Sequence, residues 1–188
     1  MVTSLLPPDF KEFLRLLNSR QVEYLLIGGY AVGYYGYPRA TADIDIWIAI
    51  NPDNAQKITT VVHEFFGAAV EGATPALFLQ KNKIARMGVP PLRIEILTTI
   101  SGVSFEECYA ERVEDEIDGV AVNLISLKHL KHNKKASGRL KDLDDLEGTR
   151  GRVGNSFGSR SVQLMTASGK YWPVRLICFR SDARQLSN

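Results

Sequence analysis

The sequence predicts a mixed α/β (α+β) domain, in which a small mixed β-sheet is flanked by helices. Helix-type and strand-type patterns follow one another along most of the chain, and the strand-type segments are short and rich in isoleucine, leucine and valine. The chain has 188 residues, of which 45% are hydrophobic and 23% charged. This size and composition are those of a globular domain with its own hydrophobic core.

The predicted helices combine apolar residues spaced along one face with residue types that begin or end helices. The first begins at a proline pair, the second is stopped by Gly36 and Pro38, the third ends at Gly67, and Ser104 is expected to cap the fourth. The predicted helices lie at residues 7–21, 29–38, 54–67, 104–113, 126–137 and 138–148.

The predicted strands are short apolar runs bounded by glycine, proline or Asp-Gly turns. The segment "KIARMGVPPLRIEILTTI" contains two of them around a proline turn, and "VEDEIDGVAVNLIS" is typical of a hairpin that turns at Asp118-Gly119. The predicted strands lie at residues 22–28 and 42–50, on both sides of 90–91, and on both sides of 118–119.

Charge divides the chain into two parts. Residues 1–147 carry a net charge of −4, whereas residues 148–188 carry +6, with seven Lys and Arg against one acidic residue. A basic tail can bind nucleic acid, but here Arg, Ser and Gly are scattered without a period around one apolar cluster, "YWPVRLICF". We therefore predict one domain at 1–147, followed by a basic tail that is either poorly ordered or adds one strand.

Several classes of protein are excluded by composition. No apolar run approaches the ~20 residues that cross a bilayer, and the N-terminus has no pattern of a signal peptide. Cys108 and Cys178 have neither metal-site spacing nor the pattern of a disulfide framework. We expect a cytoplasmic protein that does not act on a membrane.

Two carboxylates interrupt the apolar strand "ADIDIWIAI". Asp43 and Asp45 are two residues apart, so they project from one face of the strand while isoleucines fill the other. Two carboxylates held this close repel each other. A hard divalent cation such as Mg²⁺, which binds one or two carboxylates together with substrate phosphates, would relieve that repulsion.

Two further features belong with the aspartates. Gly28 and Gly29 end the preceding strand and begin a helix, where backbone N–H groups can approach a phosphate closely. Glu95, in "RIEIL", alternates with isoleucines and supplies the further carboxylate that a two-metal phosphoryl-transfer site requires. The other interpretation of Glu95 is a surface residue paired with Arg93 or another neighbour.

These motifs together resemble the nucleotidyltransferase superfamily related to DNA polymerase β. Gly28-Gly29 is followed, after thirteen residues, by Asp43-Ile44-Asp45-Ile46, and a third acid lies on a later strand. The segments "GGYAVGYYGYPRATADIDIWI", "RIEILTTISGVSFEE" and "ISLKHLKHNKKASGRLKDLDDLE" are similar to bacterial nucleotidyltransferase-like proteins related to abortive-infection toxins of type IV toxin–antitoxin systems. The resemblance spans residues 5–147 and implies a nucleotidyltransferase fold with C-terminal helices.

The resemblance also implies roles for individual residues. Gly28 and Gly29 match the positions that hold the nucleoside triphosphate, Asp43 and Asp45 match the metal ligands, and Glu95 matches the third catalytic and metal-binding carboxylate. Relatives more often have Asp at this third position, and Glu is one methylene longer.

Basic residues are candidates for binding the nucleotide. The tail-helix pattern of the family is met by Lys128, Lys134, Arg139, Lys141 and Asp142. We expect at least one of Lys134, Arg139 and Lys141 to contact the substrate rather than only solvent. Arg39, just before the first aspartate, either reaches a phosphate or holds its loop by an ion pair. A tyrosine of the glycine helix could stack on a base, although core packing is the default for Tyr30 and its neighbours.

The resulting functional prediction is a Mg²⁺-dependent enzyme, with Mn²⁺ as the alternative metal, that transfers a nucleoside monophosphate from a nucleoside triphosphate to a hydroxyl acceptor and releases pyrophosphate. Three alternatives stay open. The first is a toxin that modifies tRNA or protein and has an antitoxin partner. The second is a small-molecule modifier such as an antibiotic nucleotidyltransferase. The third is a catalytically weak nucleotide-binding module.

Overall fold

The computed structural model describes residues 6–36, 41–67, 70–89, 92–138 and 177–180. The helices are α1 (Pro8–Ser19), α2 (Gly28–Tyr34), α3 (Pro52–Phe66), α4 (Pro75–Phe78), α5 (Phe105–Ala110) and α6 (Leu127–Ser137). The strands are β1 (Tyr24–Ile27), β2 (Asp43–Ile48), β3 (Lys83–Val89), β4 (Leu92–Leu97), β5 (Val113–Ile117), β6 (Val120–Leu124) and β7 (Ile177–Arg180).

Most helix boundaries follow the local signals in the sequence. The Asn51 side chain accepts a hydrogen bond of 2.8 Å from the N–H of Asn54 and so caps α3. Gly67, with φ of +86°, ends that helix, and the Ser104 hydroxyl oxygen accepts from the N–H of Glu107 at the start of α5. The predicted stop at Gly67 and the predicted cap at Ser104 are therefore confirmed.

The strands form one mixed sheet in the order β5-β6-β1-β2-β4-β3-β7. β1 pairs with β2 in antiparallel orientation, whereas the β2–β4 and β1–β6 pairs are parallel. The order places β2 and β4 side by side at the middle of the sheet. As a result, the aspartate strand and the glutamate strand run abreast in the same direction.

Apolar side chains cover both faces of the sheet. On one face, Ile44, Ile46 and Ile48 of β2 join the larger hydrophobic cluster, with residues of α1, α3 and β4. On the other face, Trp47 and Leu25 belong to a smaller cluster that includes residues of α2, α5 and α6. The isoleucines therefore anchor β2 from one side, as the alternating pattern predicted, and leave the aspartate side chains on the other side.

Several observed elements are shorter than predicted, such as α5, which ends at Ala110 rather than at 113, and two further departures concern α2 and α4. α2 begins at Gly28, so the first glycine of the pair already belongs to the helix. α4 was not predicted, because a four-residue helix is too short to show a helical period. None of the described helices is long and apolar enough to cross a membrane.

The C-terminal part of the chain is described only at β7. This strand, within the apolar cluster "YWPVRLICF", pairs with β3 in antiparallel orientation from Lys83↔Arg180 to Arg86↔Ile177. The predicted helix at 138–148 lies outside the described residues, apart from Gly138, which ends α6 with a φ of +63°.

Removing residues 148–188 tests the proposed domain boundary. The described residues of both hydrophobic clusters lie between Leu6 and Leu130, so we expect the shortened chain to fold with a similar melting temperature. It should self-associate, because loss of β7 leaves the edge of β3 unpaired. Thermal unfolding and light scattering measure the two effects. A chain ending at residue 180 keeps β7 and is the control, and a fall of more than about 10 °C in melting temperature would place the tail within the domain.

Candidate functional site

Three acidic side chains meet where β1 ends and α2 begins. Ile27, the last residue of β1, is paired in register with Asp45 of β2. On the other side of β2, Asp45 is level with Glu95 and Asp43 is level with Arg93. In parallel strands, side chains that are level project from the same face of the sheet. The structure thus brings together Asp43, Asp45 and Glu95, as the sequence predicted, and adds Arg93 to them.

The glycine pair contacts the second aspartate directly. Gly28 has a φ of +63°, and a Cβ atom there would lie 2.0 Å from Oδ2 of Asp45. The backbone N–H of Gly29 donates a hydrogen bond to the same carboxylate. Sequence reasoning predicted these glycines as a site for phosphate. The structure shows a further reason for glycine at position 28, since only a residue without Cβ permits this close approach.

The carboxyl of Asp45 is strongly perturbed by its surroundings. Burial, the charge of Glu95 and the charge of Asp43, in that order, raise the pKa of its carboxyl to about 7, against the smaller opposing effects of Lys134 and the Gly29 N–H. Desolvation and neighbouring negative charge both disfavour ionised carboxylates. Negative charge is therefore only partly compensated at this position.

Asp43 is held by a two-pronged ion pair. Nε of Arg93 donates to Oδ1 over 2.8 Å, and Nη2 donates to Oδ2 over 2.9 Å. The pair is partly open to solvent, since the side chain of Arg93 is 34% exposed and that of Asp43 is 28% exposed. Both carboxylate oxygens of Asp43, which was predicted to bind a metal, thus accept hydrogen bonds from a guanidinium group.

Glu95 projects from the strand face opposite Ile94 and Ile96, as the alternation predicted. The residue is only 9% exposed, however, so it is not the surface residue of the other interpretation. Nε of Arg86, from the neighbouring strand β3, donates to Oε1 of Glu95 over 2.5 Å. The interpretation in which Glu95 pairs with a neighbouring arginine is therefore correct about the ion pair. The partner is Arg86, because Arg93 is bound to Asp43.

Of the basic residues predicted to bind nucleotide, one lies in the described part of the chain. Lys134 of α6 is buried, 7% exposed, and its charge lowers the pKa of Asp45. It therefore belongs to the acidic site. Arg39, Arg139 and Lys141 lie outside the described residues.

One aromatic residue beside the site has a polar group without a partner. The Tyr30 hydroxyl is buried and makes no hydrogen bond among the described residues. Burial, and after it the charge of Asp43, raise the pKa of this hydroxyl. The ring packs edge-on against Phe10, with centroids 5.9 Å apart, so core packing explains the ring but not the hydroxyl.

The fit of a divalent cation to this site depends on the two ion pairs. Within the described parts of the chain, no group of three or more Asp, Glu, His or Cys side chains is arranged to hold a metal ion. Asp43 and Glu95 are directed toward arginines, which accounts for this. The donor chemistry nevertheless fits, because Asp43 and Asp45 offer hard carboxylate oxygens from one face of β2. Arg93 is the group with which a cation at Asp43 would compete.

Sequence reasoning did not identify Arg93 and Arg86 as parts of the site. The alternation in "RIEIL" does place Arg93 on the face of Glu95. Assigning Arg93 to Asp43, however, required knowledge that β2 and β4 are parallel neighbours, which no local pattern supplies.

Comparison with known proteins identifies structures of similar fold. A proposed nucleotidyltransferase from Thermotoga maritima matches over 77% of this chain and 94% of its own, with a TM-score of 0.51 and 14% sequence identity. An antigenic nucleotidyltransferase-like protein from Paracoccidioides brasiliensis matches over 74% and 72%, with a TM-score of 0.46 and 20% identity. No family model and no curated protein matches the chain. The Thermotoga likeness confirms the predicted fold class, a mixed sheet flanked by helices.

Replacing Gly28 with alanine should destabilise the protein by about 2 kcal/mol or more, because the new Cβ would collide with Asp45 and the positive φ disfavours any side chain. Gly33 of the same helix is the matched control, since a Cβ there meets no atom within 4 Å. Gly33→Ala should leave stability unchanged or raise it by up to ~1 kcal/mol through helix propensity. Chemical denaturation measures both effects, and equal effects of the two substitutions would contradict the close approach.

Replacing Asp45 with asparagine should stabilise the metal-free protein in a pH-dependent manner. The folded-state pKa is raised, so the wild type is relatively most stable below the unfolded pKa near 4 and loses stability as the pH rises to about 7. The advantage of Asp45→Asn should therefore grow across this interval and level off above it. It should reach on the order of 2–4 kcal/mol, since one pKa unit corresponds to about 1.4 kcal/mol.

Unfolding free energies measured in chelator from pH 4 to 8 test this expectation. Asp53→Asn is the control, because Asp53 is an exposed acid that pairs with Lys57 within α3. A pH-independent difference between Asp45→Asn and wild type would show that Asp45 is not crowded by the other acids.

Proposed function

We propose that this protein is a nucleotidyltransferase, which transfers a nucleoside monophosphate from a nucleoside triphosphate to a hydroxyl acceptor and releases pyrophosphate. The observation that carries the proposal is the convergence of Asp43, Asp45 and Glu95 on one face of two parallel strands, beside the glycine turn at Gly28. The similarity in fold to the Thermotoga maritima protein supports the same reaction class. An in-line displacement needs little covalent chemistry from the protein beyond positioning and charge stabilisation.

Asp45 and Asp43 are the residues that would hold Mg²⁺, with Mn²⁺ as the alternative. The cation would supply neutralisation of phosphate charge and alignment of the reacting groups. Asp45 is prepared for this role by its surroundings, because its carboxylate is fixed by the Gly29 N–H and by contact with Gly28. Its unfavourable charge in the free protein is the property that a bound cation would remove.

Glu95 would act on the acceptor rather than on the nucleotide. Arg86 bonds to Oε1 and fixes the orientation of the carboxylate, and we assign to Oε2 the acceptance of the proton from the attacking hydroxyl. A fixed carboxylate is suited to this role because the proton acceptor must lie within hydrogen-bond reach of the acceptor hydroxyl. Cation binding by Glu95 would require Arg86 to move.

Basic residues would bind the phosphates of the nucleotide. Lys134 is already inside the acidic site, where it opposes the charge of Asp45. In this proposal it is joined by Arg39, Arg139 and Lys141, and Gly29 contributes its backbone. A Lys ammonium is a compact point charge that can follow a phosphate as charge moves during the reaction.

Three further candidate functions remain, of which two differ in the acceptor and the third differs in activity. The resemblance to abortive-infection toxins supports a toxin that modifies tRNA or protein and has an antitoxin partner. A small-molecule acceptor would make the protein resemble an antibiotic nucleotidyltransferase. The ion pairs at Asp43 and Glu95 favour the last candidate, a nucleotide-binding module of low activity, because they occupy two of the three acids in the free protein.

Transfer of label tests the proposed function. The full chain is incubated with each α-labelled nucleoside triphosphate, Mg²⁺, and either total tRNA, protein extract or a panel of hydroxylated small molecules. We expect one pool to gain label and Asp45→Asn to abolish the transfer, and this variant is a clean test because it should be at least as stable as wild type. Labelling by Asp45→Asn at the wild-type rate would overturn the proposal.

Glu95→Gln should lower turnover by on the order of 10² or more with nearly unchanged nucleotide affinity, the scale of losing one positioned general base. Glu95→Asp distinguishes base from structural partner, since it keeps a carboxylate and should retain activity if that group still reaches the acceptor. If Glu95→Gln turns over nucleotide as fast as wild type, Glu95 only pairs with Arg86, and the catalytic assignment is reduced to Asp43 and Asp45.

A further inference from the structure

The fork of Arg93 on Asp43 occupies the same two oxygens that a cation would require. The two hydrogen bonds, 2.8 Å and 2.9 Å long, use Nε and the terminal nitrogen Nη2 of the guanidinium and both carboxylate oxygens. Each oxygen of Asp43 keeps a second lone pair, but the positive guanidinium beside it repels a divalent cation. Binding of a cation at Asp43 is therefore strongest when Arg93 has moved away.

The surroundings allow Arg93 to move without disturbing the sheet. About a third of its side chain is exposed, 34%, as is 28% of that of Asp43. The strand itself is held independently, because the N–H of Arg93 donates to the carbonyl oxygen of Ala42 and the neighbouring isoleucines are fully buried. An ion pair with this much exposure contributes little to stability. The guanidinium can therefore leave Asp43 while β4 stays in place.

A triphosphate offers the guanidinium an equivalent partner. Arginine binds phosphate oxygens through the same two-pronged geometry that it uses for carboxylates. Among the described residues of the site, the three acids Asp43, Asp45 and Glu95 are opposed by three basic groups, those of Arg93, Arg86 and Lys134, so the attraction for a lone cation is weak. A cation that arrives together with a triphosphate brings negative charge with it and therefore does not add net positive charge to the site.

We propose that Arg93 is a nucleotide-binding residue that couples the metal to the triphosphate: it holds Asp43 in the free protein and transfers its guanidinium to phosphate oxygens when the nucleotide enters, which releases Asp43 to the cation. The inference rests on the proposed function. It assigns the substrate contact to a residue that the sequence pattern linked only to Glu95. Its thermodynamic consequence is positive coupling, since the cation and the nucleotide each strengthen binding of the other.

The test measures binding rather than turnover. Mn²⁺ affinity of the full chain is determined by electron paramagnetic resonance of the free ion, with and without a non-hydrolysable triphosphate analogue. The variants are Arg93→Gln and Arg93→Lys, and the matched control is Arg20→Gln, which removes a surface arginine that donates from Nε and Nη2 to Glu64. Circular dichroism checks that each variant is folded.

For Arg93→Gln we expect Mn²⁺ alone to bind on the order of ten-fold more tightly than in wild type, and the analogue to bind on the order of ten-fold more weakly, the scale of charge-assisted hydrogen bonds lost or released. The enhancement of Mn²⁺ binding by the analogue should shrink accordingly. Arg93→Lys should be intermediate, because an ammonium leaves one oxygen of Asp43 available. Arg20→Gln should behave as wild type.

Failure of the role of Arg93 and failure of the proposed function would give different results. Equal Mn²⁺ affinity in wild type and Arg93→Gln, with Mn²⁺ binding still lost in Asp45→Asn, would overturn the role of Arg93 and leave the proposed metal site intact. Absence of Mn²⁺ binding by wild type and by both Arg93 variants, with and without the analogue, would overturn the proposed function and the coupling together. If Arg93→Gln does not fold, the affinity of Arg93→Lys decides, and a value equal to wild type rejects the proposal.

Discussion

The parallel pairing of β2 with β4 is the constraint on which the site depends. It sets Asp45 level with Glu95 and Asp43 level with Arg93, so one like-charge contact and one ion pair arise from the same register. The opposite faces of both strands carry fully buried isoleucines. A slip by one residue would move these isoleucines to the site and the acids into the core, at a large cost in buried apolar area. The hydrophobic core thus fixes the acids next to each other although they repel.

The three acids are compensated unequally. Asp43 and Glu95 each have an arginine within hydrogen-bond distance, whereas Asp45 accepts from the Gly29 N–H and is opposed by the charge of Lys134. The repulsion imposed by the register is therefore concentrated at one carboxylate. Such a local loss of stability is characteristic of sites that are completed by a ligand. In this protein the rigid frame of two buried clusters supports it.

Local patterns in the sequence predicted the parts of the site but not their partners. Alternation placed Asp43 and Asp45 on one face, and the glycine pair marked the start of α2, because both features are properties of a few consecutive residues. The contact of Glu95 with Arg86 is a pairing across the two strands predicted on both sides of 90–91. The burial of Glu95 and the contact of Arg93 with Asp43, in contrast, depend on which other strands are neighbours. Strand order is set by packing of the whole sheet, and the periodicity of a single segment does not reveal it.

The two arginine pairs differ in a way that bears on the choice between enzyme and binding module. Glu95 is almost fully buried beside Arg86, and breaking a buried pair leaves an uncompensated charge out of water. The Arg93–Asp43 pair is partly exposed, so water replaces its hydrogen bonds at a cost of roughly 1 kcal/mol. Glu95 therefore stays in place while Asp43 can be released. The proposed function requires one fixed carboxylate and one that opens when the ligand enters, and this difference in burial is compatible with both without rearrangement of the sheet.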